Sequence, residues 1–456
     1  MREDVKKIHS PRLVQMHKKF FYFSAGNPSA ANREGLTVRV IFQQVIFVLL
    51  FLFLSLGMVV NKLAGASFHL LLLASLIGIA LGGQQRRKQF WLTLTKFWPL
   101  HLAMAGMALA VFANHLSLGG GSVKEYNFPL RFFAFTFLFW LFLQMELVQM
   151  RRLRWAFALG AIIMMVRTYY MTQGGASREY SNFMPIIAFT ELAALLGCLG
   201  VLSIHWDRLR ANWRFYGRTL FQVFAGIAGL YAVYLYQSRG AWFAIPVFVI
   251  AGCALLSPKR SYSRMLIGVL ILASITLIYG ATETVQQRLQ QAESDLRGLA
   301  AGQADTSIGI RFQLWKGAWI LLKEHPWAGV GSEGFAGALR DLAERKILSP
   351  SSIALPHAHN EFLFTGAVYG SIGLIALLAL YLVPLIYFVR FLWVDDKAQK
   401  ATAMMGVVLV CAFIANGLVD VMFLWRECAI FYGVVLSFLM ACAAKERQLV
   451  PLAQLP

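Results

Sequence analysis

The sequence predicts an all-α polytopic membrane protein. Hydrophobic residues make up 58% of the 456-residue chain. Charged residues make up only 14%, well under the roughly 25% of soluble domains. Apolar runs of about 20 residues recur along it, the length that crosses a bilayer as a helix. The net charge of +20 invites a nucleic-acid reading until its distribution is examined. Most Lys and Arg lie in short segments between apolar runs, where the positive-inside rule expects them, so membrane lipid is the partner and nucleic acid is not. All five cysteines fall inside apolar runs without CxxC spacing, which argues against a disulfide framework and a zinc finger.

Taken in order, residues 1–39 form a basic arm with eight Lys/Arg against three acids, read as cytoplasmic and not as a cleaved signal peptide. Residues 40–280 hold nine expected spans, near 40–60, 67–81, 97–113, 128–148, 155–171, 183–204, 219–237, 241–256 and 265–279. A long polar loop occupies 281–360. Spans ten to twelve fill 361–444, near 362–388, 402–419 and 429–443, before a tail at 445–456. Twelve spans put both termini on one side, and every short basic segment then falls on that side, 27 Lys/Arg in all. The long loop has eight basic and eight acidic residues, is neutral, and is expected outside the cytoplasm.

That loop has its own structure. Thr306 or Ser307 caps a helix whose Ile308, Phe312, Trp315, Trp319 and Leu322 share a face, and Pro326 stops it. Tryptophans on that face suit the headgroup region, so the helix is expected to lie on the membrane. Arg311 and Trp315 are one turn apart on it. Gly329-Val330-Gly331 forms a tight turn, and 334–346 forms a second short amphipathic helix. The loop closes on His357-Ala358-His359-Asn360, just where the tenth span begins.

Four stretches together resemble the bacterial O-antigen ligase and polymerase family. They are Arg311-x-x-x-Trp315, His325-Pro326-Trp327-x-Gly329-Val330-Gly331, His359-Asn360 followed by nine residues and Gly370-Ser371-Ile372-Gly373, and the Ser238-Arg239-Gly240 turn. The resemblance implies a multi-span fold of the GT-C kind with one large periplasmic loop. It implies a glycosyltransferase of the bacterial inner membrane acting on its periplasmic face, which moves a glycan from an undecaprenyl-pyrophosphate carrier. In the ligase branch the acceptor is the lipid A-core oligosaccharide, so that the reaction serves lipopolysaccharide biosynthesis. The resemblance implies no metal and no cofactor.

The residues agree with that chemistry. A sugar hydroxyl is a poor nucleophile, and histidine is the side chain able to accept its proton near neutral pH. His359 is the expected base, with His357 and Asn360 in support; on a helix, His357 would point elsewhere. A His357–His359 metal pair lacks a third ligand at any recognised spacing, so no metal site is expected. A departing lipid pyrophosphate calls for arginine, whose planar fork binds two phosphate oxygens and never loses its charge. Arg239, Arg311, Arg178 and Arg167 are the candidates. Arg311 is also placed to snorkel beside Trp315, and Arg167 to pair with Glu191. Asp420 and Arg426-Glu427 read as structural pairs, as do Glu146 and Arg151. The reading is an inverting, metal-independent transferase. Its rivals are a polymerase with a second lipid-linked acceptor, and a transporter of lipid-linked anions, which would place its ionisable groups near mid-membrane.

Overall fold

The computed structural model describes residues 30–177, 183–206, 212–237, 240–256, 283–300, 305–355, 357–394 and 396–449. Residues 1–45 and 46–456 form two compact units. Of the first, the described part is the opening of one helix, α1 (Ala30–Leu56). The candidate site lies wholly within the second. Its helices begin with α2 (Leu63–Leu81), α3 (Gly83–Lys96), α4 (Trp98–Leu118), α5 (Pro129–Phe133), α6 (Phe135–Leu143), α7 (Leu147–Arg152), α8 (Arg154–Met171) and α9 (Ile186–Leu202). They continue with α10 (Trp213–Tyr236), α11 (Ile245–Leu256), α12 (Glu283–Ala300), α13 (Ser307–Glu324), α14 (Phe335–Glu344), α15 (Glu361–Phe391), α16 (Lys397–Gly417) and α17 (Arg426–Leu449). No strand occurs among the described residues.

The chain is an all-α polytopic membrane protein. Nine stretches among the described residues are long and apolar enough to cross a bilayer. They correspond to nine of the twelve expected spans. Of the other three, α8 forms but contains Arg154 and Arg167, and 240–255 is a shorter apolar helix. The third, 265–279, lies outside the described residues.

Burial separates the spans by role. In α2, Leu70, Leu73, Leu76 and Ile77 are exposed while Phe68, Leu71 and Ser75 are buried. An apolar surface of that kind is a liability in water and the normal outer face of a helix in lipid. In α17 every residue from Glu427 to Ala444 is buried, so this helix is enclosed by the others. At one end of it Arg151 meets Glu446 at 2.9 Å, where Thr402 Oγ1 also donates at 3.1 Å. The expected Arg151–Glu146 pair does not form; Glu146 is exposed and the buried carboxylate takes the cation instead.

The helix that leads to the site, α15, is not continuous. Gly370 has φ 64° and ψ −161°, a conformation essentially restricted to glycine. Backbone groups around the break bond to the segment following α13. Val330 N–H donates to Ala367 O (3.0 Å) and Gly331 N–H to Val368 O (2.9 Å). In return Ser371 N–H donates to Pro326 O (2.8 Å) and Ile372 N–H to Trp327 O (3.2 Å). Backbone lies directly on backbone here. A Cβ at Gly329 would overlap the main chain of Ala367 and Val368, and one at Gly370 would overlap Trp327. From α4, Asn114 Nδ2 donates to Ala328 O at 2.6 Å and reaches Val368 O at 3.3 Å, covering the other side. Irregular backbone beside a span survives only where protein satisfies its polar groups, and here protein does so. Further along α15, Pro384 cannot bond Leu380 O, and Tyr432 Oη donates to that carbonyl at 3.0 Å.

The long loop folds onto this joint. Thr306 caps α13 by accepting Gly309 N–H at 3.1 Å, and the helix ends before Pro326. Leu314, Ala318 and Leu321 are buried, while Phe312 and Trp319 face outward. Phe335, Leu339 and Leu342 bury the inner face of α14, with Leu339 and Leu342 reaching Gly317. The helix α12 is one that the sequence pattern does not announce.

Gly329→Ala and Gly370→Ala should each lower the thermal unfolding midpoint in detergent, each losing on the order of 1–3 kcal/mol for the strained backbone alone. Gly65→Ala, in an open helical position of α2, should leave it unchanged or raise it slightly. Equal midpoints for the three variants would contradict the backbone-docking account.

Candidate active site

The site is built on the turn before α15. His359 has φ 49°, in the left-handed region, which is costly for a side-chain-bearing residue. That turn swings the two imidazoles together, edge to face, with centroids 4.3 Å apart. The expectation that His357 points elsewhere assumed helix through both residues; the helix starts at Glu361, and the turn reverses the outcome. His359 N–H donates to His357 Nδ1 at 3.2 Å, so the lone pair of that ring faces inward and its proton sits on Nε2.

Asn360 and Glu361 fix the turn in space. Asn360 caps α15, its Oδ1 accepting Leu363 N–H at 2.9 Å, and its Nδ2 donates to Leu418 O at 3.0 Å. Buried Glu361 accepts Phe423 N–H at 3.0 Å. Both therefore bind the histidine turn to residues 418–423, between α16 and α17. Phe423 in turn stacks between Tyr381 and Phe413, an apolar floor beneath the turn. Asn360 thus has a positioning role, and no part of that role requires it to touch substrate.

Those residues deliver Asp420, whose Oδ1 stands 3.5 Å from His359 Nδ1. The contact is at the outer limit of a hydrogen bond and is not aligned as one, so attraction between charge and ring holds it. Burial opposes ionisation of Asp420, but the ring of His359, then that of His357, and the Val421 N–H outweigh it and keep its pKa below the ordinary value. Asp420 is a carboxylate at neutral pH. His357 goes the other way: burial first, then the adjacent His359 ring and the charge of Arg311, push its pKa down to about 4 against the pull of Asp420. His357 is neutral at neutral pH. With Asp420 at Nδ1 of His359, Nε2 is the nitrogen left for proton transfer.

Arg311 is half-buried on α13, and its charge reaches His357. Trp315 follows one turn later, half-buried, with its indole nitrogen enclosed and no hydrogen-bond partner among the described residues. The fold therefore gathers His357, His359, Asn360 and Arg311, with Trp315 alongside. Arg167 is exposed near the end of α8, and no Arg167–Glu191 pair forms among the described residues. Both carboxylate oxygens of Glu191 are buried without a hydrogen-bond partner there. Arg178 and Arg239 lie outside the described residues.

Asp420 is the group that the sequence reading missed. Arg426 and Glu427 pair with each other at 2.6 Å, leaving Asp420 to the histidines. The available signal was an isolated acid between two apolar runs at the expected depth of His359, but no spacing joins positions so far apart. Asp420 also supplies the third ligand that the sequence lacked: one ligand atom each from His357, His359 and Asp420 lies within 4.8 Å of the others.

Comparison with known proteins bears on this region. Residues 224–378 match the model of the O-Antigen ligase family. An uncharacterized protein of Haemophilus influenzae is 29% identical over 205 residues, covering 44% of this chain and 51% of that protein. An O-antigen ligase of Escherichia coli is 25% identical over 205 residues, covering 44% of this chain and 46% of that protein. The chain spans about half the length of the curated relatives it matches. The matched segment contains Arg311, the Gly329–Gly370 joint and the whole histidine turn, and over it the chain is similar to the O-antigen ligase family.

Proposed function

We propose that this protein is a glycan ligase of the bacterial inner membrane, working on the periplasmic side. Its donor is a glycan on undecaprenyl pyrophosphate and its acceptor a sugar hydroxyl of the lipid A-core oligosaccharide. The observation that supports this best is His359, held between His357 and Asp420, with the charge of Arg311 at hand. His359 Nε2 takes the hydroxyl proton as that oxygen bonds to the anomeric carbon. The bond from carbon to phosphate oxygen breaks, and its electron pair leaves with the pyrophosphate. Asp420 stabilises the imidazolium that forms, as a carboxylate does beside a general base. Arg311 receives the developing phosphate charge, where preorganised cations act most strongly; Arg239, Arg178 and Arg167 are further candidates for this task. One displacement inverts the anomeric carbon, and no metal is needed for any step.

The direct test supplies purified protein with carrier-linked glycan and lipid A-core. Glycan on the core supports the ligase; a longer carrier-linked chain with unmodified core replaces it with a polymerase. Transport of lipid-linked anions in liposomes by a His359→Ala variant, with no transfer by the parent protein, replaces both.

His359→Ala should lower the transfer rate by about 10²–10⁴-fold, the typical contribution of a positioned base. Asp420→Asn should lower kcat by less than that and leave the donor KM unchanged. Arg311→Lys should raise the donor KM, because an ammonium cannot reproduce the bidentate fork. Wild-type rates in the first variant would remove His359 from the mechanism.

His357 yields a pH prediction. Its folded pKa of about 4 lies below the ordinary 6.5. Between those values the unfolded chain binds a proton that the folded chain does not, so stability falls as pH drops through that window. His357→Gln should flatten the decline in melting temperature between pH 6.5 and 4; an unchanged slope would show that the titrating group is another one.

A further inference from the structure

We infer that His357, His359 and Asp420 bind a transition-metal cation of the zinc class, and that an ion held there silences the site. Only the silencing rests on the proposed role of His359. Two imidazoles and one carboxylate form the donor set of catalytic zinc sites, and a borderline metal such as Zn²⁺ prefers it to the all-oxygen sets of Mg²⁺ or Ca²⁺. The three ligand atoms lie within 4.8 Å of one another. Tetrahedral zinc, with bonds of about 2.0–2.2 Å, keeps its ligands roughly 3.4 Å apart, so small side-chain rotations close the set. A fourth position stays open to water or a phosphate oxygen.

The surroundings favour this. The left-handed turn at His359 and the bonds from Asn360 and Glu361 across to residues 418 and 423 hold the three ligands in place before any ion arrives. His359 Nδ1 is buried beside Asp420 with no hydrogen-bond partner among the described residues. Glu191 is 2% exposed, has neither carboxylate oxygen hydrogen-bonded among the described residues, and interacts electrostatically with Asp420. The carboxylate of Asp420 beside the two rings makes the locality attractive to a cation. Arg311 opposes it, and the 3.2 Å bond into His357 is a weak one to surrender. A metal at Nδ1 of His359 leaves the ring proton on Nε2, and a metal at Nε2 occupies the lone pair itself. Either way the base has nothing with which to accept a proton.

The test uses the full chain in detergent, without a histidine tag and stripped by a chelator. ZnCl₂ is titrated against a chromophoric chelator, and Co²⁺ is added separately for its visible bands. The expected result is one equivalent of zinc, tetrahedral Co²⁺ bands in the unaltered protein, and binding weakened by about tenfold or more in His357→Gln and Asp420→Asn. Transfer should stop with zinc and return with EDTA. Absence of stoichiometric zinc and of Co²⁺ bands overturns the site, as does equal affinity in folded variants. Zinc that binds while transfer continues or accelerates overturns the silencing. Zinc binding in a protein that transfers no glycan keeps the site and rejects the ligase reading, whereas transfer without zinc binding does the reverse.

Discussion

The site depends on one stretch of main chain laid against another. Residues 326–331 and 367–372 exchange four backbone hydrogen bonds with no side chain between them. Gly329 and Gly370 make the approach possible, because a Cβ at either would occupy the partner's backbone. A span is therefore broken and its freed amides and carbonyls are satisfied by the loop. Such breaks are tolerated beside a bilayer only when protein supplies the missing partners. The consequence is rigid: α13, which leads into residues 326–331, is held against α15, and Arg311 is brought to the histidines that precede α15.

A second constraint acts from the opposite side. Asn360 and Glu361 have side chains that bond to the main chain of residues 418 and 423, so the start of α15 is tied to the turn between α16 and α17. The aromatic rings of Tyr381, Phe423 and Phe413 support that turn from below. Between these two joints stand an imidazole at His359, a neutral one at His357 and a carboxylate at Asp420. The arrangement is preorganised, which is the property that makes a fixed charge effective. The strained backbone at His359 fits the same picture, since a left-handed residue bearing a side chain persists only where its neighbours enforce it.

The chain and its relatives share about 205 residues, which is under half of this sequence. The family match, at 224–378, ends before Asp420. The partner of His359 is thus supplied by a part of the chain outside the matched segment, packed against it by α16 and α17. Such a residue is found from contacts and not from a motif.

Composition and run length were enough to determine the class of fold, because a bilayer demands long apolar helices and leaves few alternatives. Positions as specific as the cap at Thr306 or Ser307, the stop before Pro326 and the opening of α15 beside His359 are also legible, since local propensity decides them. The motif glycines marked close approach, but not what they approach. The partnership of His357 with His359 was misjudged, because one left-handed residue reverses the direction that a helix would give. Asp420 was invisible for a different reason: its meeting with His359 is fixed by Asn360, Glu361 and an aromatic floor, all contacts between stretches far apart in the chain. Residue types and local turns follow from the sequence read in one dimension; the distances that make three side chains into a site exist only once the helices have packed.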